Sequence, residues 1–213
     1  MADHAPTLAA ALREQIIDGA FEPGQRLSEV ALAERLAVSR NTLREAFRVL
    51  SEQGLVEHVP HRGVSVASPT TADVIDIYRA RRQLECGVLR EAAPLHPGVA
   101  AMRDAVERAE RALAADDWVT VGTANMAFHG ALVSLADSPR LSRAYDQLAA
   151  ELRLAFLAID DPQSLHAPFV EQNRRVLAVL VDEGAERAAV ELERYLVASE
   201  RRVLGAYARM GRG

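Results

Sequence analysis

The chain has 213 residues, 49% of them hydrophobic and 5% aromatic, with a formal charge of −5. That is enough apolar material for one large or two modest packed domains, and its Ala, Leu, Val, Glu and Arg, with apolar residues recurring every three or four positions, predict a mainly α fold. One cysteine, Cys86, rules out an intrachain disulfide or a cysteine-built zinc cage, and the acidic balance argues against nucleic-acid binding unless a local basic surface carries it.

The first residues, "MADHAPTLAAALREQ", carry charges too early for a secretory or lipidation signal, and no stretch nears 18 unbroken apolar residues, so a cytoplasmic location is expected. All 25 basic residues are arginine, a bias expected of a GC-rich genome. Thr7 is placed to cap a first helix carrying Leu8, Leu12 and Ile16 and ending at Gly19. Pro23 and Gly24 make a turn, Ser28 caps a second helix through Leu36, and Ser39 opens a third that runs to about Gln53. "LVEHV" and "GVSVA", flanking "PHRG", then read as a β-hairpin.

"SPTTAD" at 68–73 marks a boundary between a domain at 1–68 and one at 72–213. Beyond it helices are expected at about 72–92, 99–115, 117–136, 139–160, 168–183 and 185–208, an all-helical bundle.

In the third helix Leu43, Ala46, Phe47 and Leu50 form a buried stripe, leaving Arg40, Asn41, Arg44 and Arg48 on the other side. A charge stripe alone is usually a solvated face. Here a short helix and tight turn precede it, Ser39 fixes its start and a two-stranded ribbon follows, which together describe a winged helix-turn-helix. Such a helix enters the major groove N-terminus first, so Arg40, Asn41, Thr42 and Arg44 would face bases and phosphates of double-stranded DNA, with Ser39 or Thr42 on a phosphate. His61, Arg62 and Gly63, at the hairpin tip, would reach the neighbouring groove or backbone. Residues 1–70 hold seven Arg against nine Asp and Glu, so binding would rest on this local surface and be salt-sensitive.

These stretches resemble a known family. "PGQRLSE", "LAERLAVSR", "LREAFRVL", "GLVE" and "RGVSV", within 16–67, are similar to the DNA-binding domain of GntR-type transcriptional regulators. The resemblance implies operator contacts from Arg40, Arg44 and Gly63, with His61 and Arg62 beside them. Two positions depart: Ala37 stands where the turn usually has Gly, and Val30 where some members place a base-reading Arg, which implies a different or narrower operator code. "IYRARRQLECGVLREAA", "NMAFHGALVSLADSPRL" and "RRVLAVLVDEGAERAAVELERYL" resemble the FCD effector domain of one branch. That branch implies a homodimer on a pseudo-palindromic operator, many members being repressors, and in many members an Asp and three His bind a divalent metal. The matching positions here are Asn125, His129, Asn173 and Tyr195.

The residues support grouping these four, because each interrupts or adjoins an apolar helix stripe and so points inward. One imidazole, two amides and a phenol are a poor set for Zn²⁺ or Ni²⁺, so no metal is expected, with a divalent ion at His129 the minor alternative. Two readings remain: His129 as a hydrogen-bonded core histidine, or, favoured, the four as polar walls of a site for a small organic effector. Arg81, on the stripe Val74, Ile77, Leu84 and Val88, would anchor the carboxylate of an anionic effector, or else form a buried pair with Glu85 one turn on. His166 reads as a solvated loop residue and Cys86 as small core filler. An enzyme is the rival class, but no Ser-His-Asp or Cys-His arrangement, phosphate-cradling Gly loop or paired-carboxylate motif with supporting context is present. A structural interaction module would leave the first fifty residues unexplained.

Overall fold

The computed structural model describes residues 4–59 and 63–211, which divide into two compact units. The first comprises residues 1–70 together with Ala150–Ala158, and the second Thr71–Ala149 with Ile159–Gly213. The first division between them comes between Thr70 and Thr71. The assignment of 150–158 to the first unit is a departure with a simple cause: Ala150 and Leu154 are buried in the apolar core of that unit, and Leu157 packs on it.

In the first unit, α1 (His4–Ile17), α2 (Glu29–Arg35) and α3 (Arg40–Glu52) surround a small antiparallel sheet. Its strands β1 (Arg26–Leu27), β2 (Val56–Val59) and β3 (Gly63–Val66) lie in the order β1-β3-β2, with Val56 opposite Val66 and Leu27 opposite Val64. Strand β1, two residues inside "PGQRLSE", is too short for periodicity to reveal. Helix α1 begins before Thr7, so Thr7 is not its cap; Pro6 lies in the first turn, where a missing N–H costs nothing. Leu12 and Ile16, Leu32, Leu43, Phe47 and Leu50, and Val64 and Val66 form the core. Each such side chain removed from water contributes on the order of 1.5–3 kcal/mol. Ser28 and Ser39 cap α2 and α3 as expected, Ser39 Oγ accepting from the Thr42 amide at 3.1 Å. Between the helices Ala37 adopts φ 52°, the left-handed conformation that glycine takes without steric cost.

The second unit consists of α4 (Thr71–Glu91), α5 (Gly98–Ala114), α6 (Trp118–Ser134), the first part of α7 (Pro139–Leu157), α8 (Pro162–Asp182) and α9 (Ala185–Arg209). Within it α4 packs on α9 and α6, α5 on α6 and α8, and α8 on α6 and α9. Helix α8 corrects the sequence reading, which placed its start near 168. Asp161 caps it, accepting from the Ser164 amide at 3.0 Å, and Pro162 opens it. Pro168 therefore lies inside the helix and cannot donate to Ser164 O four residues back; Arg202 Nη1 fills that role at 2.9 Å. His166, expected in a solvated loop, lies within α8 and is buried. Among the described residues no helix is long and apolar enough to cross a membrane.

Candidate DNA interface and effector site

The exposed side of α3 is built as its sequence demands. Burial of Leu43, Ala46, Phe47 and Leu50 turns Arg40, Asn41, Arg44 and Arg48 outward, and Ser39 sets the first turn. The arginines differ in what holds them. Arg44 donates from Nε to Glu29 Oε2 at 2.8 Å, across from the first turn of α2. Arg48 is clasped by Glu45 at 3.3 Å and Glu52 at 2.5 Å. Neither pairing occupies Arg40. Thr42 Oγ1 and Ser39 Oγ lie 2.8 Å apart, so these hydroxyls share one bond at the helix start. A cleft of about 380 Å³ follows this face between Ala5 and Pro6 on one side and Asn41, Thr42, Glu45 and Arg48 on the other.

Sequence periodicity found the arginines but not Glu29, the partner of Arg44, which stands in another helix at no repeating interval. Val30, beside it, is 44% exposed. At the wing Gly63 has φ 86°, a conformation that favours glycine; His61 and Arg62, assigned to the same tip, lie outside the described residues.

Inside the second unit the structure brings Arg81, Asn125, His129, Asn173 and Tyr195 together, from α4, α6, α8 and α9, all buried. Arg81 Nε donates to Glu85 Oε1 at 2.6 Å, and His129 Nδ1 donates to Glu85 Oε2 at 2.7 Å. His129 Nε2 meets Tyr195 Oη at 3.1 Å; Tyr195 Oη donates to Asn125 Oδ1 at 2.9 Å, as does Asn173 Nδ2 at 2.9 Å. Phe128 and Tyr195 pack their rings against His129, and the Arg81 guanidinium lies 5.2 Å from the centre of the Tyr78 ring. The chain of contacts is continuous from Arg81 to Asn173. Asn173 Oδ1 is a buried acceptor with no partner among the described residues.

The electrostatics follow from burial. Burial works to raise the Glu85 carboxyl, but Arg81 and then His129 overcome it and hold it below the usual range. Burial depresses His129, against the pull of Glu85, and pushes the Tyr195 phenol well above its ordinary value. Arg81 therefore has its counter-ion within the protein, the second of the two arrangements its sequence position allowed. Burial likewise pushes the Cys86 thiol up to about 12, suiting a core residue and not a reactive one.

The donor set does not fit a divalent transition ion. A neutral phenol, two amides and an imidazole whose Nδ1 faces Glu85 offer one good ligand, and among the described residues no group of three or more His, Cys, Asp or Glu is placed to hold a metal.

A winged helix-turn-helix joined to an all-helical domain defines, with the family matches that follow, a DNA-binding transcriptional regulator rather than an enzyme. Residues 5–66 match the gntR family of bacterial regulatory proteins, and residues 76–198 match the FCD domain. The chain belongs to the GntR family of bacterial regulators, in its FCD-containing branch. A GntR-type transcriptional regulator from Rhodococcus sp. RHA1 is similar in structure, with TM-score 0.91 and 39% identity over 95% of this chain and 98% of that one. The HTH-type transcriptional repressor GlaR of Escherichia coli K12 is 27% identical over 204 residues, 87% of this chain and 89% of its own length. The HTH-type regulator YdhC of Bacillus subtilis is 42% identical over 74 residues, 35% of this chain and 33% of that one. FCD regulators bind small-molecule effectors.

Proposed function

We propose that the chain is a cytoplasmic, effector-responsive repressor that binds a pseudo-palindromic operator as a homodimer. The observation that carries this is the outward first turn of α3, where the N-cap Ser39 precedes Arg40, Asn41, Thr42 and Arg44, with Gly63 at the wing. Arg40 and Arg44 would read guanine edges, Asn41 an adenine, and Ser39, Thr42, His61, Arg62 and Gly63 the backbone and adjacent groove. Fluorescence anisotropy with duplex DNA from upstream of the chain's own gene tests it. Arg40→Ala should weaken binding about tenfold or more with unchanged helicity, from the loss of one bidentate base contact. Equal affinity for both proteins would refute the assignment of α3.

In the second unit the effector reading rests on the buried cluster of Arg81, Asn125, His129, Asn173 and Tyr195. A small organic molecule would exchange its own polar groups for the internal bonds among them, beginning at the open acceptor of Asn173. A carboxylate there would compete with Glu85 for Arg81. Tyr195→Phe and Asn125→Ala should blunt effector-driven operator release while leaving operator affinity intact. An unaltered response in both would remove the cluster from the sensing role.

A further inference from the structure

The arginines of the second unit change character along α9. Arg187 and Arg194 are paired with Glu183 and Glu191, and on α8 Arg174 and Arg175 are paired with Glu171 and Glu191. Arg201, Arg202 and Arg209, nearer the end of α9, have no carboxylate within ion-pair reach among the described residues, although the chain as a whole is acidic. They recur with Ala198, Gly205 and Ala206 at intervals of three and four, so all six share one face of the helix. That face opposes Leu165 and Ser164 of α8 and Ile159 across a cleft of about 310 Å³. Its floor is small and apolar and its rim is cationic. At Gly205 an added Cβ would meet, among the described residues, only Arg209 Nη1, at 3.6 Å, so the missing side chain leaves the floor open.

The rim guanidiniums have different duties. Arg202 is spent on Ser164 O, the carbonyl that Pro168 leaves unmatched. Arg201 is exposed, and among the described residues no hydrogen bond or ion pair engages it. Arg209 lies near Asp161, whose carboxylate is turned to the α8 amides that it caps. Two forks thus remain for an incoming anion, on either side of Gly205.

We propose that this cleft is a binding site for a small organic carboxylate, held at its charged end by Arg201 and Arg209 while its apolar body lies over Ala198, Gly205 and Ala206. An arginine fork and a carboxylate match as paired N–H···O bonds, and a concave, partly apolar setting strengthens them over the same pair in open water. The site is separate from the buried cluster, where Glu85 already neutralises Arg81, and does not depend on the reading of that cluster.

Isothermal titration of the full chain with benzoate, benzyl alcohol and inorganic phosphate tests it, with amide NMR shifts locating the bound probe. Benzoate should bind and shift the Gly205 amide, while benzyl alcohol and phosphate bind at least about tenfold more weakly, lacking the charge or the apolar body. The Arg201→Gln/Arg209→Gln double variant, which leaves Arg202 in place, should lose benzoate affinity by about tenfold or more at unchanged helicity. Gly205→Leu, filling the floor, should do the same with every guanidinium retained. Benzoate binding unaltered by both variants, phosphate binding as tightly as benzoate, or no benzoate binding to the wild-type chain at millimolar concentration would each overturn the proposal.

Discussion

Arg44 and Glu29 face each other across the two helices of the helix-turn-helix, Nε to Oε2 at 2.8 Å. A guanidinium held by its Nε edge keeps its two terminal nitrogens directed away from the carboxylate, which is the edge that binds guanine O6 and N7. Glu29 therefore orients the arginine, and its negative charge also discourages indiscriminate phosphate contact. Glu29→Ala should raise affinity for random-sequence DNA and lower the operator-to-random ratio by about tenfold. Titrations at several salt concentrations measure both, and an unchanged ratio would show that Arg44 needs no such support.

Ala37 makes its turn at φ 52°, a conformation costing a side-chain-bearing residue about 1–2 kcal/mol that glycine avoids. Part of that gain is offset by the greater freedom of glycine in the unfolded chain. Ala37→Gly should stabilise the first unit by up to about 1 kcal/mol, read as a shift in urea midpoint. A destabilised variant would mean that the turn carries no strain.

Glu85 is the hub of the buried cluster, so Arg81 and Glu85 cannot be removed singly without cost. Glu85→Ala or Arg81→Ala should each destabilise the chain by about 3–5 kcal/mol, by stranding a charge or its partner. The double variant should lose less than the two single losses added. A urea-denaturation cycle gives the coupling, and additive losses would deny that the pair acts as one unit.

The same cluster sets an acid limit. The fold depresses His129 below its ordinary value near 6.5, so the unfolded chain binds the extra proton and stability falls as pH drops through about 6.5. Glu85 is held below its ordinary 4.5, so a second loss begins as pH falls under about 4.5. Melting temperature against pH should show both steps, and His129→Gln should erase the upper one. A profile flat between pH 7 and 5 in the wild-type chain would exclude a buried neutral His129.

Metal chemistry is tested separately. Protein purified without a nickel column should contain well under one equivalent of Zn, Ni or Mn per chain, and EDTA should leave its melting temperature unchanged. A stoichiometric ion removed with loss of stability would reverse the reading of Asn125, His129, Asn173 and Tyr195.

Much of this architecture was legible because it is written in short-range chemistry. Ser28 and Ser39 announced their helices, the stripe of Leu43, Phe47 and Leu50 fixed which side of α3 is exposed, and inward polar residues on four helices picked out the buried cluster. What was not legible depends on contacts between distant parts of the chain. Glu29 meets Arg44 through tertiary packing, β1 exists because Leu27 pairs opposite Val64, and α8 tolerates Pro168 because Arg202 supplies the bond proline cannot. His166 was misplaced for that last reason: "HAP" reads as a helix breaker until its rescuer is known. Whether Arg81 met Glu85 or a ligand was likewise a matter of rotamer, which spacing leaves open.

Gly54, at the end of α3, has φ 70°, and a methyl group there would sit 2.9 Å from the Glu151 side chain, close to where Ala150 and Leu154 enter the core of the first unit. The reader of DNA is thus completed by residues encoded some hundred positions downstream of it. A fragment ending at the linker would carry a raw apolar wall in place of that segment, so anyone wishing to crystallise the operator complex with a trimmed protein should expect insoluble material, and would do better to keep the chain whole.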